Sequence, residues 1–294
     1  MDTKRVSLSS TILTYVVLCI GSAAFMLPFV FALGTSLKPP SLLHVLPPLL
    51  FPPLNDTHPE NYVRLWSFPG IPFNTFYLNT ILITLSALIG SVLSATASAY
   101  GFARFRWPGR DMWFAVLLAT LVLPEEVVII PKFLMFHLIP DWLFGETWID
   151  TWRPLIIPSW FGGGAFAVFL LRQFFLQIPR ELDEAAVIDG ATSWHIFWQI
   201  IVPLSKPALA TVAIFSFLGH WNDFIHPLIY LNSTTKYPLS VGLRWFQQQP
   251  SDPTEPRENL LMAASILMIT PAIAIFFSMQ RYFVRGIVMS GIKG

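Results

Sequence analysis

Charge is what this sequence has least of. Only 12% of its 294 residues are Asp, Glu, Lys or Arg, about half the share of a soluble globular domain, which is too little to cover a water-facing exterior. Cysteine is nearly absent. Cys19 stands alone, which excludes an intrachain disulfide and every multi-cysteine metal site. An excess of either sign is missing as well: 18 Lys and Arg against 17 Asp and Glu leave a formal charge of +1, so a protein built to hold nucleic acid through its phosphates is excluded. There is no Gly-x-x-x-x-Gly-Lys-Ser/Thr phosphate loop either. The nearest stretch, Gly286 to Lys293, places Ile292 where the phosphate-binding lysine would stand. What the chain has in abundance is apolar surface: 54% apolar residues with 26 Phe and 11 Trp, and a mean hydropathy of +0.59. Its solvent is expected to be the bilayer.

A helix needs about 20 predominantly apolar residues to cross the hydrocarbon core, where an exposed peptide group finds no water to bond. Uncharged gaps locate such runs: 32 residues between Arg5 and Lys38, 39 between Arg64 and Arg104, 22 between Glu258 and Arg281, and 18 between Arg153 and Arg172. They predict spans near 12–34, 77–100, 260–280 and 155–173, the last shortened by Pro154 and Pro158 and interrupted by Gly162-Gly163-Gly164. Two further runs, near 112–131 and 207–231, carry acids, Glu125 and Glu126 in the first and Asp223 in the second. The expected fold is an all-α polytopic membrane protein of about six transmembrane helices over 12–280, between an N-terminal segment 1–11 and a tail 281–294. Ser22-Ala23-Ala24 resembles a cleavage site, but the first apolar run continues to Leu33, past the ~7–15 residues of a signal h-region, and reads as an anchor.

The basic residues set the orientation. With both termini cytoplasmic, eleven of the 18 Lys and Arg fall on the inner side, as short cytoplasmic flanks require. The outer connections are rich in proline, with nine prolines in residues 38–76, and favour extended or turn backbone. Many of the tryptophans fall near predicted interfaces, where indole rings sit at headgroup level.

One inner connection is not a linker. Residues 177–207 run polar and helical for roughly 30 residues, too long for a simple bundle connection. Pro179 suits a helix start, and Glu181, Asp183 and Glu184 occupy the first turns, where the helix dipole favours acids. Ala185 to Ile188 follow as a compact apolar run. Gly190 then supplies a turn, and a second segment runs from Thr192 to Val202 before Pro203 and Pro207. An interfacial helix lying on lipid would be basic; this one starts acidic.

The stretch EAAVIDGATSWHIFWQIIVPLSKP, residues 184–207, resembles the EAA loop of permease subunits in bacterial ABC importers, with Glu184, Ala185, Ala186, Gly190, Ile200 and Pro203 at the family's spacing and Val202 in place of its usual Leu. LLRQFFLQIP (170–179), WNDFIHPLIY (221–230) and AYGFARFRWPG (99–109) resemble the carbohydrate branch, in particular the smaller six-helix permease of maltose-type and glycerol-phosphate-type systems. The resemblance implies that the helix carrying Glu184, Ala185, Ala186, Asp189, Gly190 and Ala191 docks on a dimeric cytosolic ATPase. It also implies that ATP and Mg are bound by that ATPase and no cofactor by this chain, that a second permease subunit and an extracytoplasmic sugar-binding protein complete the system, and that the membrane is the bacterial inner one. Trp221-Asn222-Asp223 would then be a packing and gating element, and Glu126, Asn222 and Asp223 are the residues expected along the translocation path.

Two other classes compete. His220, Asp223 and His226 follow one another three residues apart and are metal-ligand types, the basis of an intramembrane metal-dependent enzyme, although neither His-Glu-x-x-His nor Gly-x-Ser-x-Gly is present. A proton-coupled secondary transporter would use Glu125, Glu126 or Asp223. It leaves the loop at 177–207 without a purpose.

Overall fold

The computed structural model describes residues 8–249 and 256–291, with side chains for 11–249 and 256–279. Lys4, Arg5 and the side chains of the tail 281–294 lie outside the described residues. All regular structure among the described residues is helical: α1 (Leu8–Ser36), α2 (Phe73–Arg104), α3 (Arg110–Ala119), α4 (Glu125–Phe144), α5 (Ala165–Gln177), α6 (Glu181–Ile188), α7 (Ser193–Leu204), α8 (Lys206–Trp221), α9 (Ile225–Tyr230), α10 (Leu239–Gln248) and α11 (Glu258–Gly291). Five helices are long and apolar enough to cross a bilayer, and α7 with α8, which are bent by 79° at Ser205, count as a sixth only when the pair is taken as one span.

Helix boundaries differ from the predicted spans where proline or glycine intervenes. Over 112–131 the chain holds two helices, because Leu123 and Pro124 are extended and Pro124 opens α4 without an amide to donate. The span near 155–173 begins at Arg153–Ile156, breaks at Gly162, Gly163 and Gly164, all at positive φ, and resumes as α5. The run 207–231 breaks after Trp221, and α9 is a separate short helix.

The described chain falls into two compact units. The first takes Met1–Phe73 and Leu243–Thr270. Its polar centre lies where α1 ends: Lys38, 3% exposed, donates to the Leu49 carbonyl at 2.6 Å, while Asn61 and Asn259 both donate to the Lys38 carbonyl, at 3.0 and 2.9 Å. Ser36 meets the Tyr62 hydroxyl at 2.8 Å. Arg64 and Arg257 both stack on the Phe68 ring. The proline-rich segment after α1 is thereby an ordered structure.

The second unit takes Asn74–Gly242 and Pro271–Gly294. Its packing follows from a stripe of small residues on α2: Ala87, Ser91, Ala95, Ala99 and Ala103, each four residues from the next and all buried. Such a stripe lets backbones approach closely in a membrane, where apolar area alone does not drive helices together. The Gly163 carbonyl accepts from the Ser91 hydroxyl at 3.1 Å and the Ser159 carbonyl from Ser94 at 2.9 Å, so the broken segment before α5 is held against α2. Leu171, Phe175, Ile201 and Val212 from α5, α7 and α8 are buried against the same stripe.

Candidate functional site

The connection at 177–207 is a capped helix, a turn and a second helix. α6 is capped at Asp189 and followed by Gly190, whose φ of +83° is the left-handed conformation that glycine adopts without strain. The Gly190 amide donates to the Val187 carbonyl at 3.0 Å and the Ala191 amide to the Ala186 carbonyl at 2.8 Å. Those two bonds form a Schellman cap, so the glycine of the motif is required by geometry. One residue later the Thr192 hydroxyl accepts the His195 amide and caps the start of α7.

This arrangement divides the surface of α6. Asp183 and Ala186 turn inward, Ala186 with Ala191 onto the buried core, whereas Glu181, Glu184, Ala185, Asp189 and Gly190 are exposed. Apolar side chains are exposed among the acids: Val187 at 60%, Ile188 at 86% and Trp194 at 69%. A short acidic helix with an open apolar tip is a surface suited to a protein partner.

A second feature lies among the helices. A cavity of about 670 Å³ is lined by Ser91, Thr120, Glu125, Lys132, Ser216 and His220 together with apolar residues. Glu125 lies 3.3 Å from the Lys132 ammonium and 3.2 Å from His226 Nε2. The other ring nitrogen of His226 lies 3.1 Å from both Asp223 oxygens, and the His226 amide also donates to Asp223. Both ring nitrogens therefore face carboxylates. The break after Trp221 makes this cluster, since a continuous helix would keep Asp223 and His226 in the ladder.

The path residues expected from sequence are not all brought together. Asp223 joins the cluster. Asn222 turns back and donates to the Leu218 carbonyl at 2.9 Å instead of pairing with Asp223, and Glu126 is exposed and is not among the cavity-lining residues. Glu125 is the acid that lines the cavity. Its signal was in the sequence: Lys132 stands seven residues on, two turns along the same face. Among the described residues no group of three or more His, Cys, Asp and Glu side chains is arranged to hold a metal ion.

Outside the spans, Asp150, at φ +59°, clasps the loop after α9. Its carboxylate accepts the amides of Asn232 and Ser233, the Ser233 hydroxyl and the Lys236 ammonium. Burial works against its charge, but these hydrogen bonds outweigh burial and hold the carboxyl far below the usual carboxylate range.

Apolar spanning helices, a polar cavity between them and a capped helix-turn-helix in a connection define the membrane-spanning subunit of a transporter. Residues 90–289 match the family model described as binding-protein-dependent transport system inner membrane component, and the chain belongs to that family. It is 32% identical over 247 residues to the arabinooligosaccharides transport system permease protein AraQ of Halalkalibacterium halodurans, covering 84% of this chain and 83% of the relative. It is 34% identical over 219 residues to the sn-glycerol-3-phosphate transport system permease protein UgpE of Yersinia enterocolitica, covering 74% of each. A chain of a bacterial ABC transporter involved in the import of the acidic polysaccharide alginate superposes with a TM-score of 0.82 at 24% identity, over 96% of this chain and 99% of that one, and shares the fold. The chain is thus a multi-pass transport permease of the inner membrane.

Proposed function

We propose that this permease forms one half of the translocation path for a sugar or sugar derivative and couples it to a cytosolic ATPase dimer through α6. A second permease subunit supplies the other half of the path, an extracytoplasmic sugar-binding protein delivers the substrate, and ATP with Mg is bound and hydrolysed on the ATPase. Both termini and the α6–α7 loop lie in the cytoplasm, an orientation supported by the basic bias of the inner flanks. The carbohydrate reading is supported by the similarity to AraQ, a permease named for arabinooligosaccharide transport. The observation that carries the coupling role is the Schellman-capped helix whose exposed acids, Glu181 and Glu184, and apolar tip, Val187 and Ile188, stand out of the fold. The experiment is purification of the tagged chain from its native membrane. An ABC ATPase and a second permease of the same family in stoichiometric amounts are the expected result, and a homogeneous chain that transports alone contradicts the reading.

A further inference from the structure

The α6–α7 loop is joined to α2 by more than the chain that connects them. Arg104, on the last turn of α2, has a side chain only 4% exposed; its Nη2 donates to the Ile178 carbonyl at 3.0 Å and its Nε lies 3.4 Å from Asp183 Oδ2 on α6. One turn earlier on the same face, the Tyr100 hydroxyl donates to the Ser193 carbonyl at the start of α7 at 3.1 Å. The grip is reciprocal. Arg172 and Arg180 donate to the Phe102 and Ala103 carbonyls, at 3.3 and 3.5 Å, satisfying acceptors that the end of α2 leaves without a helical partner. Both helices of the loop are therefore bonded to the end of one helix of 32 residues.

That element also reaches the cavity. Ser91 lines it and stands thirteen residues before Arg104 on α2, about 20 Å along the same helix. The Arg104–Asp183 contact has, in addition, hydrogen-bonding capacity to spare: Arg104 Nε and Asp183 Oδ1 are buried without a hydrogen-bond partner. The pair, with side chains 4% and 20% exposed, therefore stops short of the bidentate geometry that a guanidinium and a carboxylate can form.

We propose that Arg104 and Asp183 are positioning residues of the transport cycle. They form a latch that carries movement of the ATPase-docked α6 to α2, and through α2 to the cavity wall at Ser91. The inference rests on the coupling role proposed for α6, and its test keeps the two apart.

The test uses the whole complex purified with its ATPase, in a Cys19→Ser background carrying Gly219→Cys as reporter, since Gly219 lines the cavity and a side chain there meets open space. The readout is the maleimide labelling rate of that cysteine with and without ATP and vanadate, which trap a closed ATPase. The reporter complex is expected to change its labelling rate on the order of tenfold on trapping. Asp183→Asn and Arg104→Gln are expected to abolish most of that change while the ATPase still co-purifies, and Asp183→Glu, which keeps the carboxylate, to retain it. A full nucleotide-dependent change in Asp183→Asn overturns the latch, as does release of the ATPase from a folded Asp183→Asn chain, because Asp183 then holds the partner and not the lever. If Asp183→Asn does not insert, Arg104→Lys decides by the same readout, keeping the charge but losing the fork that reaches Ile178. Absence of any ATPase from the reporter complex itself contradicts the coupling role, and the latch falls with it.

Discussion

The Ala191 amide donates to the Ala186 carbonyl at 2.8 Å across the turn at Gly190, and that bond sets where α6 stops and which of its faces stays free. Gly190 sits at φ +83° with nothing within 4 Å of a Cβ placed there. Gly190→Ala therefore costs only left-handed strain, about 1–2 kcal/mol, without a clash. Import is expected to fall several-fold in an assembled complex, with Gly190→Asn, whose side chain tolerates the conformation, recovering much of it. Equal import by the alanine variant and the wild type would remove the cap from the mechanism.

Gly163 and Gly164 separate strain from packing. Both have positive φ, but a Cβ on Gly163 would come within 2.3 Å of the Ser91 carbonyl and 2.6 Å of the Ala95 side chain, whereas one on Gly164 meets nothing within 4 Å. Gly163→Ala must push the segment before α5 away from α2, and is expected to destabilise by about 2–4 kcal/mol more than Gly164→Ala. Thermal unfolding of the two variants in detergent checks this; equal midpoints would contradict the close contact.

The Asp150 clasp has a definite pH dependence. Its folded carboxyl titrates below the ordinary carboxylate range, so the unfolded chain binds more protons in that range and stability rises with pH. The contribution is complete above the ordinary carboxylate value and fades as pH falls below it. A midpoint measured from pH 6 down to pH 3 is expected to drop less in Asp150→Asn than in the wild type; parallel curves would show that the clasp is not the titrating element.

Much of this was written in the sequence, for reasons that differ from one element to another. Long uncharged runs are visible because lipid tolerates no other surface, and so the apolar helices emerge from counting. The loop at 177–207 was legible because its signals are local: acids at a helix start, a glycine at the cap and prolines at the end. The breaks at Pro124, at Gly162 to Gly164 and after Trp221 were harder to place, since proline and glycine permit a break without saying whether neighbouring helices make use of it. The partners of Asn222 and Arg104 could not be read at all. Asn222 had an acid beside it in sequence and chose a backbone carbonyl one turn back; Arg104 meets an acid 79 positions away, a pairing fixed only when α2 and α6 pack.

Glu125 and Asp223, held on either side of His226, are expected to matter more to transport than Glu126. A charged side chain in the hydrocarbon core is costly unless it is paired or meets water. Glu125→Gln and Asp223→Asn are expected to reduce import at least several-fold with the complex intact, and Glu126→Gln to leave it within about twofold. The reverse order, with Glu126 the sensitive position, would move the path to the other face of α4.

The most direct test of the coupling role is the number of substrate molecules imported per ATP hydrolysed, measured in proteoliposomes holding the intact complex and its binding protein. Glu184→Lys reverses charge on the exposed face of α6 and Ile188→Asp places a carboxylate at its apolar tip, and neither side chain packs in the core. Both variants are expected to assemble, to hydrolyse ATP and to import at least about tenfold less per ATP than the wild type. Wild-type stoichiometry in both would contradict a role for α6 as the link between ATP and transport.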